Sequence, residues 1–265
     1  MRKTRTILLK EWEEMFRNRI VIWTLFGPPI LFVVLAAASS IGTSLAMSPA
    51  DLSESDMAEI AALTGEMCTD LAVDDCMQVY MGSIYLVLFL ILPTILPAVF
   101  ASYSIIGEKV GKTLEPLLAA PVSTTELLAG KALAAVIPAV LATWLAASIY
   151  YAMLSLTVGP AVLGKLADPA WLLAIGVTAP LLAVTTVLIA MMVSSRVQDP
   201  RTAQQVSAMV VLPVIGGLIA QSFGLMIMTP SVVALVTALL AAVNAGLLWL
   251  AVRVFARDAI LTRWK

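Results

Sequence analysis

The longest uncharged stretch of the chain limits its fold more than any other sequence feature. It runs from Thr202 to Val252 without an Asp, Glu, Lys or Arg, a length of 51 residues. As one straight helix it would measure about 77 Å, more than twice the roughly 30 Å of a bilayer's hydrocarbon core. The stretch must therefore turn back on itself. Thr229-Pro230-Ser231 is the natural turn because proline cannot continue a helix, so two membrane spans are predicted here.

The rest of the chain contains four more stretches that are long and apolar enough to span a membrane. Only 12% of the residues are charged, whereas a soluble domain carries about 25%. We therefore predict an all-α membrane protein with six transmembrane helices, at residues 20–41, 79–106, 124–158, 169–195, 203–228 and 231–253. The first stretch is longer than the apolar region of a signal peptide and is expected to be a retained span. Prolines inside the spans predict kinks, namely Pro28, Pro29, Pro93, Pro97, Pro138, Pro180 and Pro213.

Lysine and arginine lie almost entirely on one side of this topology. Fifteen of the 16 fall in residues 1–19, in or beside the loops after spans two and four, or from Arg253 to Lys265, and Lys165 lies on the other side. By the positive-inside rule both termini are cytoplasmic, in a multi-pass protein of the plasma membrane. Residues 42–78 then form an extracytoplasmic loop. Its acidic residues are most simply a solvated segment, with a divalent-cation site as the alternative.

Residues 1–19 precede the first span and have an amphipathic pattern. Leu8, Trp12, Met15 and Phe16 fall on one face at helical spacing. This predicts a cytoplasmic interfacial helix with its tryptophan at the depth of the lipid headgroups. The alternative is an ordinary cytoplasmic extension of span one.

The two cysteines, Cys68 and Cys76, both lie in the predicted extracytoplasmic loop. An oxidising compartment would allow a disulfide between them, and two free thiols are the alternative. The chain has no histidine. A structural zinc site of the usual kind is therefore excluded, and no metal site or catalytic residue is predicted.

Residues 107–123 connect spans two and three and predict a short cytoplasmic helix. Apolar and polar residues alternate at helical spacing from Glu108 to Leu118, and Pro121 ends the pattern. Ser123, followed three residues later by Glu126, predicts a capping box at the start of span three. A phosphate-binding loop is excluded, because three residues rather than four separate Gly107 from Gly111 and a membrane helix precedes them instead of a strand.

The same segment contains a pattern of residues that points to a family. The pattern consists of Glu108, Gly111, Thr113, Leu114, Glu115, Leu117, Leu118, Pro121, Val122, Ser123, Glu126, Leu127, Leu128, Gly130 and Lys131. It resembles the type-2 ATP-binding cassette (ABC) permease family, and the resemblance covers the whole chain in outline. Family members often have re-entrant helices between spans five and six, and the turn predicted here is too short for large ones.

The resemblance implies that the cytoplasmic helix couples to a separate cytoplasmic ABC ATPase subunit and that two permease chains, alike or different, enclose the pathway. The coupling residues would be Glu108, Gly111, Thr113, Leu114, Glu115, Leu117 and Leu118. ATP and magnesium would bind to the partner, and this chain would bind no cofactor and no nucleic acid. From the residues alone, a small amphipathic protrusion can dock into a groove on a partner, and a passive loop is the alternative.

No predicted span has a charged residue in its core, which argues against a proton-coupled carrier. Thr94, Gln221 and Asn244 are candidate pathway residues, although such side chains also serve as packing contacts between helices. The leading function is the permease of an exporter for an amphiphile, a lipid, a drug or sodium. A secondary transporter would show internal symmetry or intramembrane charge. A non-transporting membrane scaffold would be excluded by an ATPase that co-purifies with the chain and is stimulated by it.

Overall fold

The computed structural model describes residues 2–46, 71–110, 123–197, 199–225 and 228–254. In chain order the helices are α1 (Arg2–Arg17), α2 (Arg19–Ala46), α3 (Val73–Phe89), α4 (Leu92–Val110), α5 (Thr124–Thr157), α6 (Pro160–Leu166), α7 (Pro169–Leu173), α8 (Ala179–Arg196), α9 (Pro200–Ala208), α10 (Val211–Ser222) and α11 (Pro230–Val254). A π-helical turn, Ala174–Thr178, joins α7 to α8. These residues contain no strand, so the predicted all-α fold is confirmed.

Six helical segments are long and apolar enough to cross a membrane, as predicted. They are Val21–Gly42, Val73–Ala101, Thr125–Thr157, Pro169–Ser195, Arg201–Ser222 and Pro230–Arg253. Spans two, three and four bury 72%, 56% and 56% of their most apolar segment, against 17%, 17% and 11% for spans one, five and six. The centre of the bundle is therefore built from spans two to four. The peripheral spans present apolar faces that lipid or another chain can cover.

The central packing joins α4 to α8 and both to α5, while α2 lies against α3 and α5. At its centre Tyr150 is fully buried, and its ring lies 5.4 Å from the ring of Phe89, centroid to centroid. Successive spans run in opposite directions, so one end of the bundle contains α1 and the start of α5. The opposite end, which we call the distal end, contains the start of α3, the helix α6 and the end of α10.

Three prolines coincide with breaks in the helices, as the sequence predicts. A proline has no N–H to bond the carbonyl four residues earlier, so the helix opens before it. The turn at Leu90 and Ile91 precedes Pro93, the π-helical turn precedes Pro180, and the turn at Met209 and Val210 precedes Pro213. The other predicted kink sites, Pro28, Pro29, Pro97 and Pro138, lie within continuous helices.

Several helix ends differ from the predicted spans. The helix of span two begins at Val73 rather than near Val79, and its second half continues to Val110, past the predicted end at residue 106. Span five is two helices, α9 and α10, and it ends at Ser222 rather than near residue 228. Hydropathy locates the apolar centre of a helix, whereas capping and proline positions decide where it stops.

Candidate functional site

The predicted coupling segment lies mostly outside the described residues. Helix α4 ends at Val110, and the description resumes at Ser123. The predicted coupling residues from Gly111 to Leu118 fall between these points, and of Glu108 only the backbone, within α4, is described. The structure therefore gives the two helices that hold this segment, and the prediction for the segment itself stays a prediction.

The start of α5 has the capping box that the sequence predicts. The Glu126 N–H donates to the Ser123 hydroxyl oxygen at 3.2 Å, and the Ser123 N–H donates to a Glu126 carboxylate oxygen at 3.1 Å. Each side chain thus satisfies a backbone donor that the first helical turn leaves without a partner. This fixes the point at which the chain leaves residues 111–122 and enters the membrane.

A buried ion pair joins α1 to the second turn of α5. The Lys131 Nζ lies 2.8 Å from a Glu11 carboxylate oxygen, and the two residues are 4% and 8% exposed. Removing a charge from water is costly unless an opposite charge with good hydrogen-bonding geometry compensates for it. The ion pair therefore favours one position of α1 along α5.

Two further features fit α1 closely onto α5. A Cβ atom added to Gly130 would lie 2.9 Å from the Ile7 Cγ2 and 3.2 Å from the Thr4 carbonyl oxygen, so only glycine allows this approach. The Trp12 indole N–H donates to the Ala134 carbonyl oxygen at 3.1 Å. That carbonyl lies four residues before Pro138, which has no N–H to offer it.

We call this set of contacts the α1–α5 clamp, which consists of Glu11, Trp12, Gly130, Lys131 and Ala134. The sequence pattern already contained Gly130 and Lys131, but it assigned them no role, and it did not single out Glu11. The sequence did contain a feature that could have indicated a buried Glu11. Glu11 lies four residues after Ile7 and four before Met15, so it shares a face with apolar residues. The apolar stripe predicted for this helix is less buried than Glu11, and Phe16 is 44% exposed.

The three candidate pathway residues are all buried but do not form one site. The Thr94 hydroxyl donates to the Ile91 carbonyl oxygen at 2.7 Å, within the break that precedes Pro93. The Asn244 amide donates to the Leu181 carbonyl oxygen at 3.0 Å and accepts from the Thr185 hydroxyl at 3.1 Å. Asn244 therefore acts as a packing contact between spans four and six, the alternative role that the sequence left open.

Gln221, the remaining candidate, lies at the distal end. It is 1% exposed, and its side-chain N–H donates to the Ser83 hydroxyl oxygen at 2.6 Å. Its carbonyl oxygen has no hydrogen-bond partner among the residues that the structure describes. Gln221 is thus the one candidate whose polar atoms are not all accounted for by packing within the described part of the chain.

Cys76 lies in the first turn of α3, is 4% exposed and takes part in a disulfide bond. Cys68 lies outside the described residues, so its pairing with Cys76 remains a prediction. The mass of the alkylated protein with and without prior reduction tests this pairing, because full alkylation without a reductant would contradict it.

Comparison with known protein families gives a match over nearly the whole chain. The model of a family described as "ABC-2 family transporter protein" matches residues 5–255. The match includes most of α1, all six spans and the segment between α4 and α5. No curated protein matches the chain.

Proposed function

Since this chain belongs to the ABC-2 family of transporter proteins, we propose that it is the membrane subunit of an exporter powered by a separate cytoplasmic ATPase. The observation that carries the proposal is the family match over residues 5–255, which covers the complete six-span bundle. The chain itself contains no nucleotide-binding motif. ATP and magnesium would therefore bind to the partner, and a second permease chain would complete the pathway.

The coupling segment, residues 107–123, is proposed to dock into the ATPase. Its position supports this role, because it connects the end of α4 directly to the capped start of α5. A movement of the partner would pull on two central spans at once. The α1–α5 clamp would carry α1 along with α5, because the buried Glu11–Lys131 pair joins the two helices at a distance of 2.8 Å.

The proposed substrate is an amphiphile such as a lipid or a drug, with sodium as the alternative. The proposal is supported by the predominantly apolar interior of the spans, where the described polar side chains are mainly hydroxyl and amide groups that contact neighbouring helices. The apolar faces of the peripheral spans would admit lipid as well as the second permease chain.

Variants of the coupling segment test the proposed function. Leu114→Ala should weaken ATPase binding by about 1–4 kcal/mol, because a few apolar anchors dominate small interfaces. Glu115→Lys should weaken it by repulsion at the same surface. The measurements are co-purification with the ATPase, and transport with ATPase stimulation in reconstituted vesicles.

Leu156→Ala is the matched control for these variants, since Leu156 is 87% exposed at the distal end of α5. It should bind and transport as the unaltered protein does, and all the variants should still insert into the membrane. If Leu114→Ala combined with Glu115→Lys leaves binding and coupled transport intact, residues 107–123 are not the coupling element.

The proposed orientation, with both termini cytoplasmic, rests on the one-sided distribution of lysine and arginine. In a variant without the native cysteines, cysteine replacing Asp56 or Lys165 should react with a membrane-impermeant thiol reagent in intact cells. Cysteine replacing Lys112 or Arg201 should react only after the cells are permeabilised. Reaction at position 112 in sealed cells would show that the orientation is the opposite of the one proposed.

A further inference from the structure

Helix α10, in the peripheral span five, is bounded by two breaks and is only partly buried. It lies between two breaks, the turn at Met209 and Val210 and the turn that begins at Phe223, where Gly224 has a φ of 65°. Gln221 is its one buried residue. A Cβ atom added to Gly216, in the middle of the helix, would meet no atom within 4 Å. Its apolar contacts with the core come from partly buried side chains, Val214 and Leu218.

Its distal end is nevertheless attached to α3 by two hydrogen bonds. The Gln221 side-chain N–H donates to the Ser83 hydroxyl oxygen at 2.6 Å, and the Tyr80 hydroxyl donates to the Ser222 carbonyl oxygen at 2.9 Å. The Ser222 carbonyl belongs to the last turn of α10, and within the described part of the chain it accepts from no other backbone N–H. The tyrosine thus caps the helix from a neighbouring span.

Both bonds involve residues of α3. The Ser83 hydroxyl accepts from Gln221 and donates to the Tyr80 carbonyl oxygen at 2.7 Å. Ser83 bonds the backbone carbonyl of Tyr80, whereas Tyr80 bonds Ser222 through its side-chain hydroxyl, so the two bonds between the helices are separate and start one turn apart on α3. We call this set of contacts, formed by Tyr80, Ser83, Gln221 and Ser222, the distal latch.

The contacts of the latch are polar, so water can replace them when the latch opens. The Gln221 carbonyl oxygen lacks a partner among the described residues in the closed state, so hydration on opening would favour release. The turn at Met209 and Val210 supplies a hinge at the other end of the helix.

We propose that the distal latch keeps α10 against α3 in the resting protein and releases it during transport, so that α10 pivots about the turn at Met209 and Val210. Release would open a gap between spans two and five at the distal end. The proposal rests on the proposed transport function, but the latch itself can be measured in the isolated chain.

The first test measures hydrogen–deuterium exchange of the amides of α10 in the purified chain in lipid nanodiscs. Gln221→Met removes the amide group and keeps the length of the side chain, and Tyr80→Phe removes the capping hydroxyl. Each should raise exchange at the distal turn of α10 by about tenfold, the factor expected for the loss of a buried hydrogen bond.

Ser222→Ala is the matched control, because among the described residues the Ser222 hydroxyl bonds the Leu218 carbonyl oxygen of its own helix at 2.9 Å, and the latch uses the Ser222 backbone carbonyl. It should leave exchange at the distal turn within about twofold of the unaltered chain. Unchanged exchange in both Gln221→Met and Tyr80→Phe would overturn the latch, whether or not the chain has an ATPase partner.

The second test uses a crosslink to prevent α10 from leaving α3. Ser83→Cys combined with Gln221→Cys, in a background without Cys68 and Cys76, is joined by a short bifunctional thiosulfonate reagent. Crosslinked protein should still bind the ATPase but should lose at least tenfold in transport rate, and reductant should restore it. Full transport in the crosslinked state would show that α10 need not leave α3. If no ATPase binds or stimulates the uncrosslinked chain, the proposed function fails, and the exchange measurement still decides the latch.

Discussion

Lys131→Met is expected to destabilise the folded protein by about 3–5 kcal/mol, because it removes the ammonium group that lies 2.8 Å from the buried Glu11 carboxylate. Lys131 and Glu11 are 4% and 8% exposed, so neither charge can reach water without moving α1 away from α5. Glu11→Leu combined with Lys131→Met should restore most of the lost stability, since replacing both members of a buried pair with apolar residues is often close to neutral. The measurement is the free energy of unfolding in mixed micelles.

The chain contains a natural control for this prediction on the same helix. Lys10 and Glu14 form an exposed ion pair at 3.4 Å, with side chains 54% and 63% exposed. Lys10→Met should cost no more than about 0.5 kcal/mol, because water screens an exposed pair of this kind. If Lys131→Met were as mild as Lys10→Met, the Glu11–Lys131 contact would not be a buried charge pair and the clamp would lose its main element.

Transport by the double variant separates a role of the clamp in transport from a role in stability alone. The double variant should recover stability but not the geometry that the charged pair imposes, because apolar side chains allow α1 to slide along α5. Transport coupled to ATP hydrolysis should therefore remain below that of the unaltered chain. If a stable double variant transports as efficiently as the unaltered chain, the ion pair holds α1 in place but does not help to couple ATP hydrolysis to transport.

Tyr150→Ala is expected to destabilise the bundle by about 3 kcal/mol, in the lower part of the range for aromatic residues replaced by alanine in a core. Tyr150 is fully buried, and its ring packs at 5.4 Å against Phe89 between spans two and three. Because lipid tails are as apolar as side chains, the loss comes from the cavity and from the missing contacts rather than from transfer out of water.

Leu156→Ala, on the same helix, provides the comparison for Tyr150→Ala. Leu156 is 87% exposed, so its truncation should change the free energy of unfolding by less than about 0.5 kcal/mol. Thermal unfolding in detergent with and without added lipid would measure both variants. Equal effects of the two substitutions would mean that Tyr150 does not lie in the packed centre of the bundle.

Several features were predictable from the sequence because each depends on residues close together in the chain. They are the six spans, the break before Pro213, the helix start at Pro230 and the Ser123–Glu126 capping box. A span is recognised by its apolar length, and a proline removes a hydrogen bond from a carbonyl only four residues away. The ends of span two were less predictable. Residues 73–78 and 107–110 are helical beyond the predicted span, although several of them are polar or charged.

The tertiary structure alone decided which polar residues meet. Glu11 and Lys131 are 120 residues apart, and Ser83 and Gln221 are 138 residues apart. Hydropathy and helical periodicity assign a residue to a face of its own helix but cannot say which neighbour that face contacts. Lys131 could thus be counted from the sequence as one more loop charge, and Asn244 and Gln221 as equivalent pathway candidates. Packing gave the lysine a buried partner, made Asn244 a contact between spans four and six, and placed Gln221 at the distal end of α10, because only the assembled bundle brings these helices side by side.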